Sequence, residues 1–130
     1  MSYGLAGAVQ VAVHGALAAH PDLAGVAVMD AVPPGGAVGT FVLIGADEVR
    51  DASDVTGAGA EHRVEISVRS DAAGFLAAKA VAAAVCGAME GLALAQGRIV
   101  GVWFQKAKAV RSDDGAERRV DLTFRLRVEA

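Results

Sequence analysis

The sequence holds one cysteine (Cys86), one tryptophan (Trp103) and three histidines (His14, His20 and His62). A single thiol cannot close a disulfide within the chain, so no internal covalent staple is expected. Cys86 lies in an apolar run, where a thiol behaves as a small buried hydrophobe. That usage fits synthesis in a reducing, cytoplasmic compartment. The histidines fall on a predicted helix, at its end and on a predicted strand, and show no paired ligand spacing. A metal centre needs three or four convergent ligands, so none is expected. His62 heads the apolar face of its strand and reads as a satisfied histidine at the core edge. There is no cationic surplus either: the net charge is −3 and the pI is near 5.5. This argues against binding nucleic acid by charge neutralisation, though not against DNA passing through a pore without sticking. No basic region precedes the first apolar run, so no signal peptide is expected. The longest apolar stretch, residues 75–95, is interrupted by Lys79, Gly87, Glu90 and Gly91, so no membrane span is expected.

Catalytic signatures are equally sparse. The glycines near 35 and 57 lack the Lys-Ser/Thr that completes a phosphate loop, and no Gly-x-Ser-x-Gly elbow occurs. Asp47, Glu48, Asp51 and Asp54 cluster, but Arg50 is interleaved with them. They read as a solvated strand end rather than a paired-carboxylate site. No catalytic residue and no cofactor are expected.

What the sequence does have is Ala, Val and Gly. Its hydrophobic fraction is 54% with aromatics at only 5%. Such a core gains stability from close approach of helix and sheet rather than from large side chains. Residues 3–19 read as a helix, with Leu5, Val9, Ala12, Ala16 and Leu17 on one side. Pro21 ends it. Residues 26–29 read as a short strand, and Pro33-Pro34-Gly35-Gly36 as a loop. Residues 40–50 read as a strand apolar on both faces at its start, with Phe41 and Leu43 opposite Val42 and Ile44. Residues 51–60 are small and polar and read as a long, mobile loop.

Residues 62–69 alternate, with His62, Val64, Ile66 and Val68 on the core side. Ser70-Asp71 is expected to cap a second helix reaching Glu90. It carries a small-residue stripe (Leu76, Ala80, Ala83, Gly87, Ala88) and a neighbouring apolar one (Val81, Val85, Ala88, Leu92), and its Ala/Gly richness reads as core, as a helix face for subunit packing, or as both. Residues 99–110 and 118–129 read as strands joined by a turn containing Asp114-Gly115. The expectation is one α+β domain over residues 1–130, in the order α-β-β-β-α-β-β. It has an antiparallel sheet of about four strands with two helices on one face. The basic polar side of the last hairpin, including Arg125 and Arg127, reads as a partner- or pore-facing strip or as an ordinary charged face.

Residues 50–53 (Arg-Asp-Ala-Ser), 59–70 (Gly-Ala-Glu-His-Arg-Val-Glu-Ile-Ser-Val-Arg-Ser) and the helix start Ala73-Gly-Phe-Leu-Ala-Ala-Lys79 carry a resemblance. With Val81-Ala-Ala-Ala-Val85, they resemble the small tail-terminator or tail-completion proteins of long-tailed phages, prophages and gene transfer agents. The resemblance extends over nearly the whole chain. It implies a structural virion protein, without cofactor, that forms a ring of six copies on the last ring of the tail tube. That ring stops tube growth, meets a head–tail stopper or connector protein on its other face, and lets DNA pass through its lumen. The implied location is the virion tail. Asp51, Ser53, Asp54 and Thr56 of the first loop and Ser112, Asp113 and Asp114 of the last turn are the expected docking elements. Arg125 and Arg127 are the expected intersubunit ion-pair partners. The alternatives are a tube or stopper subunit, or a small ligand-binding or hot-dog-like enzyme domain using His62 or Asp47.

Overall fold

A computed structural model describes residues 3–130. The chain runs through helix α1 (Ala6–Ala19), a 3-10 turn (Pro21–Leu23), β1 (Ala27–Met29), β2 (Thr40–Asp51), β3 (Gly59–Ser70), α2 (Leu76–Glu90), β4 (Arg98–Arg111) and β5 (Arg118–Glu129). The strands form a five-stranded sheet in the order β1-β2-β3-β5-β4. This is the expected α+β class and element order. Two points of the expectation are corrected: the strands number five, and the sheet is mixed because β1 pairs with β2 in parallel. The parallel pairing follows from the connection. The turn at Pro33–Gly36 and the following residues carry the chain back to the start of β2, alongside β1.

The two central strands are buried on the helix side through strict alternation. His62, Val64, Ile66 and Val68 of β3 lie level with Leu126, Phe124, Leu122 and Val120 of β5, and all eight are buried. α1 contributes Val9, Val13 and Leu17 to this core, while Ala12 and Ala16 are half-buried at its margin. α2 contributes Ala78, Ala82, Val85, Ala88 and Met89. Of the small-residue stripe only Ala88 is buried, while Leu76, Ala80, Ala83 and Gly87 are exposed; Val85, Ala88 and Leu92 of the neighbouring apolar stripe are buried. Val85 and Met89 supply far more apolar area than Ala80 and Gly87, so hydrophobic burial sets the rotation of the helix. At the start of β2, Phe41 and Val42 are both buried, as the two-faced apolar pattern predicts.

The second helix begins later than expected. Ser70 and Asp71 do not cap it. Ser70 is the last residue of β3, where its Oγ lies 2.8 Å from Thr40 Oγ1 and accepts the Ala72 N–H. The Asp71 carboxylate accepts the Gly39 N–H at 2.9 Å. Both side chains are committed to joining the end of β3 to the start of β2, and the helix starts at Leu76 after a bend. His62 is also corrected. It is fully buried rather than at the core edge, and neither ring nitrogen has a hydrogen-bond partner among the described residues. Burial depresses its pKa, and the negative charge of Asp47 opposes that only in part.

Candidate assembly surface

The strands place two polar turns at opposite ends of the sheet. The β2–β3 connection lies beside the C-terminal end of β5, since Gly59 pairs with Glu129. The β4–β5 turn lies at the other end, where Arg118 pairs with Ser70 and Arg111.

The first of these is not the long loop expected from composition. β2 runs to Asp51 and β3 starts at Gly59, so residues 52–58 form a short connection tied by its own side chains. Ala52 and Asp54 donate their backbone N–H groups to the Gly59 and Gly57 carbonyls. Asp54 Oδ1 accepts the Thr56 hydroxyl at 2.6 Å, the Thr56 N–H at 2.8 Å and the Gly57 N–H at 3.1 Å. These donors hold its carboxyl below the usual aspartate range, the Thr56 hydroxyl contributing most. Ser53 Oγ donates to Asp51 at 2.7 Å and accepts the Gly59 N–H. Small polar residues form such a turn because their side chains reach back to nearby backbone N–H groups. Val55, fully exposed, stands at its tip.

The opposite turn is built the same way. Ser112 Oγ donates to Asp114 at 2.7 Å and accepts the Glu117 N–H, while Asp114 accepts the Ala116 N–H at 2.9 Å. The Ala116 N–H, then the Ser112 hydroxyl, lower the Asp114 pKa. Gly115 takes φ +72°, the left-handed conformation that favours glycine. Asp113 is exposed beside it. The expected docking residues thus gather into two clusters, one at each pole, rather than into one site.

Arg125 and Arg127 lie on the face of the sheet that carries no helix, and both have partners within the chain. Arg127 donates to the Ala52 carbonyl at 2.8 Å and so braces the β2–β3 turn. Arg125 stacks over the Trp103 indole at 4.3 Å and lies 3.8 Å from Glu61. Trp103 can lie flat there because Gly101 leaves room: a Cβ at Gly101 would stand 2.6 Å from the indole ring. Across this open face Ser67 donates to Asp121 at 2.9 Å, and Asp121 also accepts from Arg119. Arg63 and Arg125, and Arg69 and Arg119, stand directly opposite each other. Like charges across a strand pair favour extra anionic contacts. Composition hides this surface, because the chain as a whole is acidic.

Sequence reasoning missed the free edges of the sheet. β4 pairs only with β5 and is exposed along most of its length, with Val100, Trp103 and Phe104 among the exposed large hydrophobics. Phe104, Ala107 and Ala109 line an open apolar groove with Ala82, Ala83 and Cys86 of α2. Burial and the charge of Glu90 raise the Cys86 pKa. β1 covers β2 only at residues 41–43, so the rest of that edge is open. The signal was in the strand from 98 to 111: from Lys106 to Ala109 its side chains alternate Lys and Ala, too small or too polar to bury either face.

Among the described residues no three His, Cys, Asp or Glu side chains converge as metal ligands, and no helix is long and apolar enough to cross a membrane. Asp47 and Glu48 sit on the exposed part of β2, where Glu48 pairs with Arg50 at 2.6 Å. Arg50 lowers the Glu48 pKa. His62, the other candidate acid–base group, has no access to solvent.

The sequence profile of the family described as tail completion protein gp17 matches residues 11–129. No curated protein matches the chain. Among solved structures, a chain from the virion of a native gene transfer agent particle superposes with a TM-score of 0.89 at 54% identity, covering 99% of this chain and 100% of its own length.

Proposed function

The chain belongs to the tail completion protein gp17 family, and from that premise we propose that it is a virion tail protein acting as a tail terminator. A ring of these subunits, six in number, caps the last ring of the tail tube and stops its polymerisation. Its other face meets the head–tail stopper or connector, and DNA passes through the lumen. The observation that carries this reading is the placement of two rigid polar turns at opposite ends of one sheet. A terminator has to dock on two different partners along one axis. Asp51, Ser53, Asp54 and Thr56 serve one pole, and Ser112, Asp113 and Asp114 the other. Both turns are ordered by internal hydrogen bonds, so docking loses little conformational entropy. No bond is made or broken, and no cofactor takes part. The similarity to a chain of a gene transfer agent virion supports the particle context.

Ring closure requires a head-to-tail interface, in which two different surfaces of the subunit meet. Arg125 and Arg127 support it from the open face, bracing the Trp103 edge and the β2–β3 turn while presenting cationic groups to a neighbour. Reversing both charges is expected to block ring assembly; intact rings from that variant would remove these residues from the interface.

The test of the function is electron microscopy of particles from a strain lacking the gene. Tails of abnormal length, or tails detached from filled heads, are the expected result. Normal joined particles would rule the role out. Unaided polymerisation of the purified chain into long tubes would mark it as a tube subunit instead.

A further inference from the structure

We propose that the unpaired outer edge of β4 in one subunit pairs with the unpaired second half of β2 in a second copy, continuing the sheet from subunit to subunit. This rests on the ring reading above and specifies its contact surface.

Strand direction permits it. β2, β3, β5 and β4 alternate in direction. A rotation about an axis along the strands therefore sets β4 of one copy antiparallel to β2 of the next and keeps the helices on one side. β1 occupies β2 only at residues 41–43, leaving residues 45–51 open on that edge.

Charge and apolarity also match. β4 carries Arg98, Lys106, Lys108 and Arg111 and no carboxylate. The open half of β2 carries Asp47, Glu48 and Asp51 with only Arg50 against them. The strand ladders set the level of each residue. Asp47 lies level with Val64, Phe124 and Phe104, and Glu48 level with Arg63, Arg125 and Trp103. Without axial shift, the neighbour's Glu48 therefore faces Trp103 and stands diagonal to Lys106 on the open face, within reach of a long side chain. Val49 meets the helix-side row of Val102 and Phe104, and the exposed Trp103 and Phe104 become covered. Lys106 and Lys108 make no ion pair among the described residues, so the edge retains cations for a partner.

The test uses the full chain expressed in a particle-producing strain deleted for the gene. The variants are K106E, E48K and the double variant E48K/K106E, each checked for folding by circular dichroism. Each single variant sets like charges across the joint, and complete particles are expected to fall about tenfold or more. The double variant restores an opposite pair at every joint, and particle yield returns. Overturning results are a folded single variant that assembles at the wild-type level, or a folded double variant that stays as defective as the singles. Normal tails in the uncomplemented deletion strain would instead refute the terminator reading, and that control is scored separately.

Discussion

Replacing His62 with leucine removes two ring nitrogens that are buried without a hydrogen-bond partner among the described residues. Leaving a buried polar group unsatisfied costs about 1–3 kcal/mol. Leucine has similar volume, and such swaps in a packed site cost less than about 1.5 kcal/mol. The balance favours the variant, by about 1 kcal/mol at pH 7.5. For a chain of this length that corresponds to a rise in Tm of about 4 °C. Acid should widen the gap. The folded-state pKa of His62 is depressed, chiefly by burial. The unfolded chain therefore binds a proton more readily than the folded one. Stability from this group is complete above the unfolded pKa of about 6.5 and falls as pH drops below it, toward the folded pKa. Each pH unit in that window costs the wild type about 1.4 kcal/mol that the leucine variant does not lose. Urea unfolding of both proteins at pH 7.5 and pH 5.5 measures this, and the comparison cancels the titration of the shared carboxylates. A less stable leucine variant would show that the imidazole has a polar partner. A gap that does not grow between the two pH values would show that the ring is not held neutral.

Gly97 has φ +71°, and a Cβ there would stand 2.5 Å from the Glu129 carbonyl oxygen and 2.8 Å from Leu5. Gly97→Ala should cost about 1–3 kcal/mol in urea unfolding, and an unchanged midpoint would contradict the strained conformation. Gly101→Ala should displace the Trp103 indole from beneath Arg125. Because Trp103 is the only tryptophan, the loss reads directly as a red-shifted emission, with about 1 kcal/mol of stability at stake. Leu17→Ala empties a fully buried position between helix and sheet and should cost about 2–5 kcal/mol. Cys86, half-buried with a raised pKa, should react with iodoacetamide more slowly at pH 7.5 than a free thiol; an equal rate would refute that environment.

The strands at 62–69 and 118–129 were legible because one face is apolar and the other polar, and period two admits a single facing. Their register, His62 level with Leu126 through Val68 level with Val120, keeps each apolar row intact. The second helix was less legible. In an alanine-rich segment several stripes are about equally apolar, and the choice fell to Val85 and Met89 through their area. Ser70-Asp71 had the composition of a cap, but caps and strand-end bonds draw on the same side chains, and only tertiary context decides between them. The parallel β1 pairing depends on how a loop returns, which no local pattern encodes. Of the candidate surface, both turns could be placed from their residues. Their opposite poles and the open sheet edges follow from strand order, which the sequence carries only through long-range contacts.

Strand order also bears on why the edges stay apart in the wrong pairings. An open edge invites any other edge, and two copies of β4 could pair with each other as a two-fold dimer. That joint would set Lys106, Lys108 and Arg111 against their own copies, with no carboxylate on either copy of β4. Two open halves of β2 would set Asp47, Glu48 and Asp51 against themselves in the same way. Both self-pairings are repelled, and the mixed pairing is the one in which charge attracts. The mixed pairing is also the one that cannot close as a dimer, since each joint leaves a β2 edge and a β4 edge unused at the ends of the array. In the ring proposed above, charge sorting along two strands turns an aggregation-prone feature into a rule for growth. Raising the salt to about 1 M shortens the screening length to about 3 Å. It should weaken that rule, with two-fold dimers gaining on rings in native mass spectrometry. A ring-to-dimer ratio independent of salt would show that shape rather than charge selects the partner edge.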